Sequence, residues 1–135
     1  MACKSLEEAV GYHFKDPSLL REALSHRSYA SESRTDIYNE RLEFLGDSIL
    51  SAAVAHHCYV SFPEEREGTL SKIRSQLVSR GSLAQWAKKI DLGSHLLLGV
   101  GEDNSGGRAR ASVLANALEA LIGAIFLDGG YAGAA

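Results

Sequence analysis

Three acidic residues lie close together in a run that is otherwise mostly apolar: Glu40, Glu43 and Asp47. If this run is an α-helix, which turns about 100° per residue, the three carboxylates share an arc of about 60°. Hard divalent cations such as Mg²⁺ prefer a few carboxylate oxygens, with water and phosphate completing the coordination. The spacing therefore fits a metal-binding face. An ordinary solvated charged face has the same pattern, so spacing alone leaves both readings open.

A second polar pair, Asn116 and Glu119, lies three residues apart in a segment that is otherwise almost wholly apolar. An apolar pattern that continues around a helix predicts a buried, central helix. A buried carboxylate is costly unless it is paired or binds a metal. The small residues Ala120 and Gly123 share the same helix edge, which would allow another helix to pack closely.

Two interpretations of Glu119 follow from the residues alone. In the first, the 116/119 pair faces Glu43 and Asp47 across a helix crossing, and the four side chains form one site. In the second, Glu119 forms an ion pair with an arginine such as Arg41 or Arg110.

The apolar periodicity predicts a single all-α domain in which these residues lie on helices. The predicted helices are 5–14, 16–26, 39–60, 69–78, 83–90 and 111–128, with another beginning after 129–130. Segments 31–36 and 99–107 are predicted loops. Asp16 is the expected N-cap before Pro17, Ser82 is a candidate N-cap, and Leu70, Ile73 and Leu77 are the expected core stripe of their helix.

Length and composition are ordinary: 135 residues, 45% hydrophobic and 23% charged, which fits one globular domain. We find no apolar run long enough to cross a bilayer and no signal peptide, so we expect a soluble cytoplasmic protein without a membrane partner. Cys3 and Cys58 have no neighbours at metal-ligand spacing and are expected to be reduced thiols. The net charge of −3 means that a nucleic-acid partner would require segregated basic residues and bound cations.

Two other patterns are not expected to form sites. His56 and His57 are adjacent, so on a helix they point about 100° apart and are poorly placed to chelate one ion. The glycine-rich segment 99–107 lacks the G-K-[ST] ending of a phosphate-binding loop, so no nucleotide cofactor is expected.

The acidic run reads N-E-R-L-E-F-L-G-D-S over residues 39–48, and this decamer resembles the signature of the ribonuclease III family. Three further segments resemble family segments: H-R-S-Y at 26–29, E-G-T-L-S-K-I-R at 67–74, and the loop before the last helix, with G-E at 101–102 and G-G-R at 106–108. The resemblance covers essentially the whole chain. It implies the endonuclease-domain fold of a bacterial-type ribonuclease III, a multi-helix bundle that forms a two-fold homodimer.

The resemblance also implies roles for the polar residues. Glu43, Asp47, Asn116 and Glu119 would bind Mg²⁺, with Mn²⁺ as a substitute, and Asp47 and Glu119 would be catalytic. Asn116 stands where the family usually has Asp, so the site holds one carboxylate fewer. Glu40 would support these ligands without binding the metal itself.

Other family features concern partners. Glu67, Lys72 and Arg74 match positions near the RNA groove. Phe44, a large apolar residue beside the acids, matches a knob that inserts into the partner subunit, which agrees with its place on a polar face. The family also continues into a double-stranded RNA-binding domain, so the chain end at Ala135 is expected to be a truncation.

The implied activity is metal-dependent hydrolysis of double-stranded RNA to 5′-phosphate and 3′-hydroxyl ends, in rRNA and mRNA processing. The alternative is a catalytically impaired relative that binds or scaffolds double-stranded RNA, toward which Asn116 is one step. A plain helical dimerisation module would leave the buried Glu119 unexplained.

Overall fold

The computed structural model describes the backbone of residues 2–134 and the side chains of residues 5–130. Over that range the chain forms eight α-helices, joined by short loops and two 3₁₀ turns, at Leu92–His95 and Gly107–Ala109. The helices are α1 (Ala2–Val10), α2 (Pro17–Leu24), α3 (Arg27–Glu32), α4 (Glu40–Ser61), α5 (Glu67–Leu77), α6 (Arg80–Lys89), α7 (Val100–Asn104) and α8 (Ala111–Ala134). The all-α prediction is confirmed. The β-type pairing among these residues is a single parallel bridge between Ser25 and Leu97.

Helix α8 is the centre of the domain, and α4, α6 and α2 pack around it. Its apolar side chains point in several directions, so each neighbouring helix can bury a face against it. Leu114 and Leu121 are almost completely buried there, together with Leu6 of α1 and Leu92 of the first 3₁₀ turn. Gly130, with φ at 78°, interrupts the helix near its end, as the predicted stop at 129–130 anticipated.

The N-cap predicted from the sequence is confirmed for α2 and wrong for α6. At α2 the expected cap is present: the Asp16 carboxylate accepts a hydrogen bond from the Ser18 amide at 3.0 Å, and Pro17 occupies the first turn. At α6 the predicted cap, Ser82, is wrong. The Ser79 hydroxyl accepts from the Ser82 amide at 3.2 Å, so the helix begins three residues earlier than predicted.

Two short helices lie at or within predicted loops. Helix α3 covers part of segment 31–36 and is capped by His26, whose Nδ1 accepts from the Ser28 amide at 3.1 Å. Helix α7 lies inside the predicted loop 99–107, where the Glu32 carboxylate accepts from the Val100 amide at 2.6 Å. The two helices are thus held together by contacts between residues distant in sequence, which local periodicity does not reveal.

The end of α8 is tied to the segment between α1 and α2 through one carboxylate. Asp128 accepts hydrogen bonds from the Tyr12 hydroxyl at 2.7 Å and from the backbone amides of Lys15 and Asp16 at 2.8 and 2.9 Å. The hydrogen bond to Asp128 raises the pKa of Tyr12 to about 12, and the same bond lowers the pKa of Asp128 below its ordinary value.

Helix α5 departs from the expected core stripe. Leu70 and Ile73 are only half-buried and Leu77 is 43% exposed, and none of the α5 residues, all of which are described, is buried. On the adjoining part of α4, Tyr59 and Val60 are also exposed. Helix α5 and the end of α4 therefore leave several apolar side chains open to solvent.

The expectation that no apolar run is long enough to cross a bilayer is wrong. The stretch Ala111–Gly130 of α8 is long and apolar enough, by length and composition, to cross a bilayer. In the structure 56% of an 18-residue window of that stretch is buried inside the domain, as expected of a core helix, since core helices of soluble proteins meet the same criterion.

Candidate metal centre

The site lies where α4 crosses α8. Two glycines allow the backbones of these helices to touch at the crossing. A methyl group on Gly46 would overlap the carbonyl oxygen of Glu119 and lie 2.6 Å from its carbonyl carbon. A methyl group on Gly123 would overlap the carbonyl oxygen of Leu42 and lie 3.1 Å from the Gly46 nitrogen. The backbones touch at both points, so residues beside the crossing are brought close together.

Six residues flank this crossing and line a cavity of about 450 Å³: Glu40, Glu43, Phe44, Asp47, Asn116 and Glu119. The structure thus brings together the acids of the first cluster and the polar pair of α8, which are about 70 positions apart in sequence. The helix-crossing interpretation of Glu119 is the one the structure adopts.

The ion-pair interpretation of Glu119 is wrong. Arg110 pairs with Glu102 of α7 instead, and Arg41 lines neighbouring hollows beside Glu40. Among the side chains of residues 5–130, no arginine or lysine forms an ion pair with Glu119. The carboxyl group is therefore left to interact with the other acids of the cavity.

These surroundings change the proton affinity of two carboxyl groups. Glu119 is only 9% exposed, and this burial, followed by a hydrogen bond with Asp47 and repulsion from Asp47 and Glu43, raises its pKa to about 8. Burial also raises the pKa of Glu43, with repulsion from Glu40 and Asp47 adding to it. At neutral pH the cavity thus holds a proton that a bound cation would displace.

The donor set fits a hard divalent cation. Carboxylate and amide oxygens are the ligands that Mg²⁺ and Mn²⁺ prefer, and sulfur and imidazole ligands do not line the cavity. Within the described side chains, no three Asp, Glu, His or Cys residues already converge closely enough to hold an ion. Binding would therefore require the acidic side chains to turn toward a common point.

Comparison with known proteins identifies the family. A family model described as ribonuclease-III-like matches residues 16–135. The chain belongs to the ribonuclease III family. It is 52% identical to ribonuclease 3 of Oleidesulfovibrio alaskensis, over 97% of this chain and 58% of that protein. It is also 52% identical to ribonuclease 3 of Caldanaerobacter subterraneus, over 93% of this chain and 55% of the relative. The chain thus spans little more than half the length of these relatives.

Solved structures agree with this assignment. The nuclease domain of ribonuclease III from Campylobacter jejuni, described for flexibility in a region involved in dimer formation, superposes with a TM-score of 0.91. It is 43% identical, and the match covers 96% of this chain and 88% of that one. Dicer from Pichia stipitis gives a TM-score of 0.64 at 32% identity, over 87% of this chain and 48% of its own.

The remaining predicted positions of this ribonuclease III domain lie outside the cavity or at its edge. Phe44 is 78% exposed at the rim. Glu40 also lies at the rim, exposed, with its carboxylate 4.0 Å from Arg27. Glu67 and Arg74 line a separate hollow beside Tyr59, and no α5 residue lines the acidic cavity.

Lys72 is exposed on α5 and does not line the acidic cavity. The proposed RNA contacts are therefore separate from the acids within one copy of the chain.

Sequence reasoning did not identify Gly46 as part of the site. Its signal was present: a glycine inside an otherwise strong helical pattern usually has a packing or functional reason. Gly123, noted only as a small residue, has the reciprocal role on α8.

Proposed function

We propose that this chain is an endonuclease domain that cleaves double-stranded RNA by Mg²⁺-dependent hydrolysis, leaving 5′-phosphate and 3′-hydroxyl ends. One observation carries the proposal: the acids of α4 and the Asn116/Glu119 pair of α8 line a single cavity in a member of the ribonuclease III family. Phosphodiester hydrolysis needs a group that activates water and offsets charge on phosphate. Clustered oxygen ligands for Mg²⁺ meet that need.

The residues would divide the work as follows. Glu43, Asp47 and Glu119 would hold the cation, and Asn116 would contribute a neutral carbonyl oxygen. When bound, Mg²⁺ or Mn²⁺ supplies an activated water and stabilises charge at the scissile phosphate. Glu119 would give up its proton to serve as a ligand, because its protonated form depends on burial beside uncompensated carboxylates.

The substrate and its partners follow from the family. A-form duplexes are read mainly through shape, phosphates and 2′-hydroxyls, so basic residues such as Lys72 and Arg74 would contact the RNA backbone, with Glu67 beside them. Phe44, exposed at the cavity rim, would insert into a second copy, and a two-fold homodimer would place two cavities along one groove. We place this activity in the cytoplasm, in the processing of rRNA and mRNA precursors, without a nucleotide cofactor.

A second candidate function rests on Asn116. A neutral ligand in place of a carboxylate removes one negative charge, and metal sites are tuned by the number of charged ligands. In this alternative the domain binds or scaffolds double-stranded RNA with impaired cleavage.

Incubation of the chain with a long RNA duplex and Mg²⁺ tests both candidates. We expect the parent to cut the duplex, Glu119→Ala to abolish cutting, and Glu8→Ala, an exposed acid of α1, to leave it unchanged. Cutting that appears only in Asn116→Asp would mean that position 116 has switched the site off. Duplex binding without cutting in every version would favour the scaffold.

A further inference from the structure

Basic residues are segregated within this acidic chain. Residues 68–90 contain five of the fourteen lysines and arginines, whereas all seventeen acidic residues lie outside this segment. The segment forms most of α5, the turn after it and α6. The five basic side chains are all exposed: Lys72, Arg74, Arg80, Lys88 and Lys89. This segment therefore offers a polyanion exposed basic side chains and no acid of its own, in spite of the net charge of −3.

The outer face of α6 adds an aromatic ring to this charge. Leu83, Ala84 and Ala87 are buried against the core, so the opposite side of the helix faces solvent. That side carries four exposed residues near the helix end, which we call the α6 patch: Gln85, Trp86, Lys88 and Lys89. Trp86 is 56% exposed, and the Lys89 ammonium lies 4.6 Å from its ring centroid.

The α6 patch has no structural task that the described side chains reveal. Neither Lys88 nor Lys89 forms an ion pair with a described carboxylate. The acid next in sequence, Asp91, accepts a hydrogen bond from the Ser94 hydroxyl at 2.7 Å. The indole of Trp86 lies outside the core cluster to which its helix contributes Ala84 and Ala87. An exposed indole in contact with the Lys89 ammonium, with Lys88 exposed on the same helix, is thus available to a ligand.

We infer that the α6 patch binds unpaired nucleotides of RNA, such as a single-stranded flank of a duplex that the domain cleaves. This inference rests on the proposed function for its substrate class. An indole stacks on a nucleobase only where the base is unstacked, whereas the bases of a duplex are enclosed. Lys88 and Lys89 would contact the adjoining phosphates, and the Gln85 amide would supply hydrogen bonds to a base edge.

Trp86 is the only tryptophan of the chain, so its fluorescence reports directly on this patch. The chain is titrated in EDTA, which prevents cleavage, with a single-stranded oligouridylate, a blunt duplex, and the same duplex carrying a single-stranded flank. We expect the single strand and the flanked duplex to quench the fluorescence, and the blunt duplex to leave it nearly unchanged. Equal quenching by blunt and flanked duplexes, or none by any RNA, would overturn the inference.

Variants separate stacking from charge. Replacement of a stacking aromatic residue by alanine typically lowers the affinity for single-stranded RNA by about 5-fold or more. We therefore expect Trp86→Ala to lower the affinity for labelled single-stranded RNA at least that much, and Trp86→Phe to retain most of the parent's affinity. Lys89→Ala is expected to lower affinity and to flatten its salt dependence, unlike Lys15→Ala, an exposed lysine before α2. Unchanged affinity in Trp86→Ala, or loss of self-association instead of RNA binding, would refute the assignment.

Failure of the α6 patch inference can be distinguished from failure of the proposed function. Duplex cleavage that depends on Glu119, without quenching of Trp86, would reject the α6 patch alone. Quenching by single strands without any cleavage would reject the endonuclease proposal and leave the patch as an RNA contact.

Discussion

Gly46 of α4 lies directly against the backbone carbonyl of Glu119 in α8. Gly123 repeats the arrangement against the carbonyl of Leu42, so the crossing is fixed at two points separated by one helical turn. Because both contacts involve backbone atoms, neither can relax by a change of rotamer. The distance between the two helices that line the acidic cavity is thus set by glycine rather than by the acidic side chains.

Replacement of Gly46 by alanine is expected to lower the free energy of unfolding by about 3 kcal/mol, since the added methyl group meets backbone that cannot move aside. Urea denaturation followed by circular dichroism measures the change. Gly81→Ala is the matched control, because nothing lies within 4 Å of a methyl group at that position of α6. There we expect a gain of about 0.5–1 kcal/mol from helix propensity, and equal effects at both sites would contradict the crossing.

Glu119→Gln is expected to change how stability depends on pH. In the unfolded chain the carboxyl group loses its proton near the ordinary pKa of 4.5, whereas in the fold it does so near a pKa of about 8. Between these values the folded state binds the extra proton, so the free energy of unfolding falls as pH rises from about 4.5 to about 8. Glutamine keeps the neutral form throughout and removes this fall.

Melting temperatures in EDTA at pH 5 and pH 8 provide the measurement. The glutamine variant is expected to melt close to the parent at pH 5 and several degrees above it at pH 8. The exposed control Glu64→Gln should follow the parent at both values. A variant that tracks the parent across the range would show that the buried proton is absent.

Asn116→Asp is expected to strengthen Mg²⁺ binding about tenfold, because it adds a charged oxygen ligand to the cavity. Isothermal titration calorimetry with Mg²⁺ or Mn²⁺ checks this. Asn104→Asp, at the exposed end of α7, adds the same charge elsewhere and is expected to leave affinity unchanged. Equal affinity in the parent and Asn116→Asp would remove position 116 from the set of ligands.

Phe44→Asp is expected to convert a dimer into monomers. It replaces the most exposed large apolar side chain of the domain, at the cavity rim, with a charged one that an apolar socket would not accept. Light scattering coupled to gel filtration gives the mass. Val100→Asp changes another exposed apolar residue, at the start of α7, and is expected to leave the mass unaltered. A dimer that persists in Phe44→Asp would exclude this residue from the interface.

The long elements were predictable because their patterns are local. Helix α4 begins one residue from its predicted start, and Asp16 caps α2 as its position before a proline indicates. The polar pair in an apolar helix left two interpretations open, and the shared cavity shows that the crossing with α4 is the one adopted. Metal binding, RNA contacts and dimerisation remain predictions.

Other features depend on tertiary contacts that a single sequence does not display. Helix α7 is held by Glu32, nearly seventy residues earlier, so its segment looks like a flexible loop. Leu77 continues an apolar stripe but is left exposed, since periodicity indicates which face is apolar and not whether anything covers it. Gly46 looks like a weak point in a helix until the backbone of α8 is placed beside it.

The carboxylate of Asp128 protects two backbone amides from hydrogen exchange. It holds the amide protons of Lys15 and Asp16 at an exposed part of the surface, where exchange with solvent deuterium would otherwise be fast. These two amides lie more than a hundred residues from the carboxylate that protects them. Their exchange rates therefore report how often the end of the central helix lifts away from the domain, well before any global unfolding takes place.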